Sequence, residues 1–280
     1  MRYGVSTHLY HAGRLSKAHL EEIGSFGFDA VEVFATRSHV DYHDRAALDT
    51  LAGWLGELGL RLHGIHAPIM EAFGRGDVWE GKTFSLAAAD QTRRREAVQE
   101  ASRALELARR VSTDVLVVHL GVPRGQGSGA ADNARDAALR SLEEIHRIAA
   151  PLGVRVAVEV IPNELSTPET LVRLLEDDLS LEAAGICLDF GHAFLLGDVV
   201  DAVEHASGHL IATHVHDNDR RSDSHLVPFE GAIEWPSALM ALQKVGYEGT
   251  VLFELADTAT PRDVLARARR ARNRFEQMLI

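Results

Sequence analysis

Cysteine is almost missing. Cys187 is the only one in 280 residues, which excludes an internal disulfide and suits a reducing cytoplasm, the location expected here. Long hydrophobic runs are missing too. No stretch approaches the roughly 18 apolar residues of a membrane-spanning helix. The opening MRYGVSTHLY enters a strand-like pattern without the basic-then-apolar start of a secretory leader, so no leader and no membrane partner are expected. Basic charge is in short supply: 29 Lys and Arg against 41 Asp and Glu leave a formal charge of −12. Proteins that grip long stretches of nucleic-acid backbone rely on basic surfaces to neutralise phosphates, so this balance argues against nucleic acid as a partner. The chain also lacks a Pro/Ser-rich linker, a low-complexity tract and a compositional break, so residues 1–280 read as one domain. Nothing in the pattern signals an oligomeric state.

What is present is ordinary in bulk and unusual in detail. Apolar residues make up 46% and charged residues 25%, enough to bury a large core. Histidine, at 15 residues, is abundant. Short β-branched runs at 3–6, 30–34, 62–66, 115–120, 154–160, 185–190, 211–216 and 250–255 alternate with stretches of helical periodicity such as 47–58, 97–111, 137–150 and 261–278. Thr167-Pro168 and Thr260-Pro261 each set a capping hydroxyl before a proline at a helix start. Gly246 follows the helix that begins near Trp235, where a left-handed residue is wanted. Eight strand–helix units without a break predict an α/β fold: a single (β/α)8 TIM barrel, with a parallel eight-stranded barrel inside and helices outside. An open doubly wound sheet would want a glycine-rich loop after the first strand, and Ser6-Thr7-His8-Leu9 is not one. The long connection 67–92, with Phe73, Trp79 and Phe84, is a candidate lid or a surface excursion with its own packing. Gly121 to Gly129 reads as a flexible loop rather than an anion cradle.

In such a barrel, chemistry gathers at the C-terminal strand ends. Strand three ends in His66 and strand four in His119. Strand five carries Glu159, strand six Asp189, strand seven His214 and His216, and strand eight Glu254. Each follows an apolar run, where an unpaired polar group is costly. Several carboxylates and imidazoles meeting at one rim call for a compensating cation. Glu159, Asp189, His216 and Glu254 are the first ligand candidates; His66, His119, His192, Asp223 and His225 are candidates for further ions. Mixed oxygen and imidazole donors suit manganese or zinc. His214, two residues below His216, is expected to be a hydrogen-bonded residue one layer down. His63, of opposite parity to His66, is expected to face the helices. His8 ends strand one and could reach the site, but is not counted among the ligand candidates. His19, His39, His146, His205 and His209 are expected to be solvated.

The order Glu159, Asp189-x-x-His192, His214-x-His216-Asp217-Asn218 and Glu254 resembles the xylose isomerase-like superfamily of sugar phosphate isomerases and epimerases. So does Asp223-Ser-His225-Leu-Val-Pro-Phe-Glu-Gly231-Ala-Ile-Glu-Trp235. The resemblance implies a barrel with one divalent ion on Glu159, Asp189, His216 and Glu254. It further implies a small carbohydrate-like substrate and proton abstraction beside a carbonyl through an enediolate, with Glu159 and Glu254 as the acid/base pair on opposite faces. His66, His192 and Arg221 would contact substrate, although Arg220 and Arg221 stand one or two positions from the family's arginine. The superfamily also holds endonuclease IV, a three-zinc phosphodiesterase. Its ligand set is similar to His66, His119, Glu159, Asp189, His192, His216, Asp223, His225 and Glu254. The alternatives are therefore a zinc phosphodiesterase or a related metal-dependent lyase or dehydratase.

Overall fold

The computed structural model describes residues 1–73, 79–124, 130–178 and 184–279. Eight parallel strands close into a barrel: β1 (Arg2–Ser6), β2 (Ala30–Phe34), β3 (Arg61–His66), β4 (Val115–Val118), β5 (Arg155–Glu159), β6 (Ala184–Asp189), β7 (Leu210–Val215) and β8 (Thr250–Phe253). Neighbours follow chain order, and the ring is sealed where β1 pairs with β8, Val5 opposite Phe253.

Side chains alternate along each strand, and the two parities meet different surroundings. Leu116, Val118, Val156, Val158, Ile186, Leu188 and Val215 join the large core under the helices. The opposite parity gives a small separate cluster of Val115, Val117, Ala157, Cys187 and Ala212, the apolar floor inside the barrel. Two residues further along the same strands, the inward positions turn polar: His119, Glu159, Asp189 and His214 are all buried. An apolar floor beneath a polar upper layer is what the strand period dictates from these sequences.

Helix boundaries follow their caps. Thr167 and Thr260 accept from Thr170 N and Asp263 N, each at 3.2 Å. Asp90 accepts from Arg93 N at 2.8 Å, so the third helix begins at Gln91 rather than at Ala97. It runs Gln91–Ala104 and then tightens into a 3-10 turn, Leu105–Arg109, where a single helix to residue 111 was expected. Gly246 takes φ +73°, the left-handed conformation its position required. The connection after β3 forms an antiparallel hairpin, Met70–Phe73 with Trp79–Thr83. Its tip, 74–78, and the side chains of Phe73 and Trp79 lie outside the described residues, as do 125–129 of the loop after β4. Phe84 is buried in the main core. Among the described residues no helix is long and apolar enough to cross a membrane.

Candidate metal centre at the barrel mouth

Glu159, at the end of β5, is 1% exposed and sits at the middle of the polar layer. His66 Nε2 and His119 Nε2 approach its Oε2 at 3.2 and 3.0 Å. His192 Nδ1 and His214 Nδ1 lie 3.4 and 3.5 Å from its Oε1. Burial alone would raise the Glu159 pKa, but His119 and His214 outweigh it and hold the carboxyl well below the usual range. Glu254, immediately past β8, is likewise held well below that range against burial, mainly by His214 and then His225. His214 shows the reverse: burial opposes its cation, and Cys187, Glu32, Glu254 and Glu159 outweigh that to raise it well above the ordinary imidazole range.

Asp189 does two jobs. It ends β6, and its Oδ1 accepts from His192 N at 2.6 Å, capping the helix Phe190–Leu196. The strand therefore passes directly into a helix that begins at Phe190 and carries His192 in its first turn. His216 Nε2 lies 3.0 Å from both Asp189 oxygens. Gly191 makes this approach possible, since a Cβ there would stand 1.9 Å from His216 Cε1. The loop after β7 is organised by Asp217, a fully buried carboxylate. It accepts from Asn218 N (2.9 Å), Phe229 N (2.9 Å), Ile233 N (3.0 Å) and Trp235 Nε1 (2.8 Å). The loop so held brings Asp223 Oδ2 to 2.9 Å from His192 Nε2 and 3.3 Å from His225 Nε2.

The imidazoles divide by where their ring nitrogens are engaged. His66, His192 and His225 each use Nδ1 on a backbone carbonyl, of Ala67, Val160 and Glu254 at 2.9, 3.0 and 3.1 Å. Each then presents Nε2 to the carboxylates. One nitrogen anchored and the other offered is the arrangement of metal-ligating histidine. His119, His214 and His216 each keep a buried Nδ1 without a hydrogen-bond partner. Donor atoms fall into three groups small enough for one ion each: His66, His119, Glu159; Glu159, Asp189, His214, Glu254; and His192, His216, Asp223, His225. The residues fit a divalent metal.

All nine ligand candidates thus converge. Sequence reading paired His216 with Glu159, Asp189 and Glu254; by distance His214 falls in that group, and His216 in the outer one. Above them opens a cavity of about 430 Å3 lined by His66, Glu159, His192, Arg221 and Glu254 among others. His8 also lines it; its ring stacks on His225 at 5.1 Å, and His225 stacks on His216 at 3.9 Å. His63 is buried and bonds Asp114 Oδ2 at 3.2 Å. His39, expected to be solvated, is instead fully buried, with Nδ1–H donating to Gly13 O at 2.6 Å. The residue that sequence reasoning missed is Glu32, mid-strand in β2. It is 1% exposed, accepts from Ser6 Oγ at 3.1 Å and meets His214 Nε2 at 3.1 Å.

A closed parallel barrel with acids and imidazoles converging at its C-terminal mouth defines a class of protein. The chain belongs to the xylose isomerase-like TIM barrel family, whose model matches residues 20–275. It is similar to MJ1311, an uncharacterised protein of Methanocaldococcus jannaschii, at 25% identity over 95% of this chain and 88% of that protein. Over 123 residues, 41% of this chain and 44% of the relative, it is 27% identical to the inosose isomerase of Bacillus subtilis. Its fold is shared with a D-tagatose 3-epimerase-like protein of known structure (TM-score 0.81, 24% identity, 100% of this chain and 98% of the other).

Proposed function

We infer that this protein is a divalent-metal-dependent isomerase or epimerase of a small sugar or sugar phosphate. One observation carries the reading: Glu159 and Glu254, the two carboxylates suited to moving a proton, line the same cavity as His66, His192 and Arg221. The volume, about 430 Å3, is in the range of small-molecule sites. Glu159, Asp189 and Glu254 with strand-seven imidazole would hold the ion. Oxygen-rich donors favour manganese there, imidazole-rich ones zinc. When bound, such an ion supplies Lewis acidity that polarises a carbonyl. One glutamate removes the proton from the carbon beside that carbonyl, and the other returns a proton from the opposite face. His66 and His192 hold substrate oxygens. Arg221, at the mouth, makes no side-chain ion pair among the described residues, so it is free to meet an anionic end group. A D-tagatose 3-epimerase-like protein shares the fold and an inosose isomerase shares part of the sequence; both names agree with this chemistry.

The test is proton exchange from deuterated water into a panel of ketoses and ketose phosphates by the manganese-loaded protein. Exchange is expected in at least one, with Glu159→Gln and Glu254→Gln each slowed about 100-fold or more. No exchange across the panel, or near-normal rates in either variant, overturns the assignment. The two further ligand groups around His66/His119 and His192/Asp223/His225 favour a second reading, a three-zinc phosphodiesterase. Three zinc ions per chain with cleavage of an abasic-site duplex would replace the first reading with it.

A further inference from the structure

We propose that Arg124 and Arg221 form a phosphate subsite at the outer end of the cavity. The substrate is then a sugar phosphate whose phosphate lies remote from the reacting carbonyl. This rests on the sugar reading above and narrows it to one class of substrate.

The cavity lining is graded by burial. His66, Glu159, His192 and Glu254, all buried, make the floor. The half-buried lining residues are apolar: Ile69, Pro123, Pro162 and Leu195 form a collar. Arg124 and Arg221 are exposed and belong to the rim. Asp223, the other exposed charge among the described lining residues, is already engaged by His192 and His225 at 2.9 and 3.3 Å. Arg124 follows β4 and Arg221 follows β7, three strands apart in a ring of eight, so they face each other across the mouth.

Both backbones are pinned while both guanidiniums stay uncommitted. Arg124 N donates to Pro162 O at 3.0 Å, and Arg221 N to Asp219 Oδ1 at 3.0 Å. The Arg124 side chain, 66% exposed, comes no nearer than 3.7 Å to Glu164, itself 88% exposed, a pair worth little in water. Arg221 makes no side-chain ion pair or hydrogen bond among the described residues. Its neighbour Arg220 is spent, donating to Gly197 O and lying over the Phe194 ring at 4.7 Å. A chain of formal charge −12 repels anions at long range, so two free cations at one cavity mouth reverse the field locally. Planar guanidinium matches phosphate oxygens two at a time. A phosphate monoester carries about −1.5 to −2 at pH 7, which balances two guanidiniums, where a carboxylate would balance one. Glu159 and Glu254 repel a dianion at the floor, so the carbonyl end enters first and the phosphate stays at the rim. The collar takes the C–H faces of the carbon chain between them.

The metal-loaded full chain would be titrated calorimetrically with inorganic phosphate, and its proton exchange compared between ketoses and their terminal phosphates. The wild type is expected to favour the phosphates by about 10-fold or more in kcat/KM, mainly through KM. Arg124→Gln and Arg221→Gln should each weaken inorganic phosphate binding about 10-fold, the change for one lost charge-assisted hydrogen bond. Each should also lower the preference for phosphorylated over free ketose by a similar factor. Both side chains are exposed on loops, so the variants should fold. Phosphate binding that is absent in the wild type, or unchanged in both variants because the bound ion holds it, overturns the proposal. A wild type that prefers free ketoses also overturns it and leaves the isomerase reading standing. Arginine-dependent phosphate binding without exchange in any ketose overturns the isomerase reading and keeps the subsite.

Discussion

Replacing Asp217 by asparagine removes one negative oxygen from a fully buried carboxylate that organises the loop after β7. Its two oxygens accept four hydrogen bonds of 2.8–3.0 Å, three from backbone N–H groups and one from the Trp235 indole. An asparagine keeps one accepting oxygen and turns an NH2 toward two donors, which then face a donor of their own. Hydrogen bonds to a charged group contribute about 1.5–3 kcal/mol each. Losing two costs about 4 kcal/mol, because Asp217 is fully buried and water cannot substitute. With a urea m-value of about 3 kcal/mol/M for a chain of this size, the unfolding midpoint should fall by about 1.3 M. The same loop carries Asp223 and His225, so His192 should lose its Asp223 contact in the variant's crystal structure. A midpoint lowered by less than about 0.3 M at unchanged m, roughly 1 kcal/mol, would refute the reasoning.

Three further expectations concern other parts of the site and its surroundings. Gly191→Ala places a Cβ 1.9 Å from the His216 ring; the ring should be displaced from Asp189, with about 1–3 kcal/mol of overpacking cost, and a crystal structure with the ring unmoved would refute this. Chelation should lower the thermal midpoint of metal-loaded protein: an ion at about 100 times its Kd stabilises by about 2.7 kcal/mol, or about 5 °C at this size, and identical melting curves would count against any bound ion. His39 is held down to about 4, chiefly by burial, with His11, His19 and Arg14 as neighbouring positive groups and only the Gly13 carbonyl opposing. Its folded value is below the ordinary 6.5, so the unfolded chain binds the proton first and stability falls as pH drops from 6.5 to 4. His39→Gln should therefore narrow the difference from wild type by about 3 kcal/mol between pH 7 and pH 4, measured by urea melts; parallel curves would sink the assignment.

The barrel was legible because parallel strands buried on both faces announce themselves as β-branched runs, and proline and capping hydroxyls mark where helices start. The strand-end acids and histidines were legible for a related reason: a polar residue closing an apolar run has to be placed somewhere, and period-two alternation says where. Glu32 carries the same signal as Glu159, a carboxylate in an apolar strand, but it stands mid-strand, and a rule that looks only at strand ends passes over it. Parity alone also assigns His214 and His216 to one face without saying which reaches the carboxylates of β5, β6 and β8. That depends on the register, with Asp189 opposite His214. His39 was misjudged because a loop residue's burial depends on what folds over it, and nothing local encodes the Gly13 carbonyl that receives its proton. Asp217 sits in a run of polar residues, and its four donors come from up to 18 positions away.

Ser6, Glu32 and His214 lie on β1, β2 and β7, and Glu254 follows β8. The buried polar contacts therefore cross the seam where the first strand meets the last. A fragment that stops before Glu254 would hold most of the barrel wall and still lack an inner donor. On the proposed metal reading, ion uptake during refolding should lag behind secondary structure and coincide with the docking of β1 against β8, so that a bound ion would time the final closing of the ring.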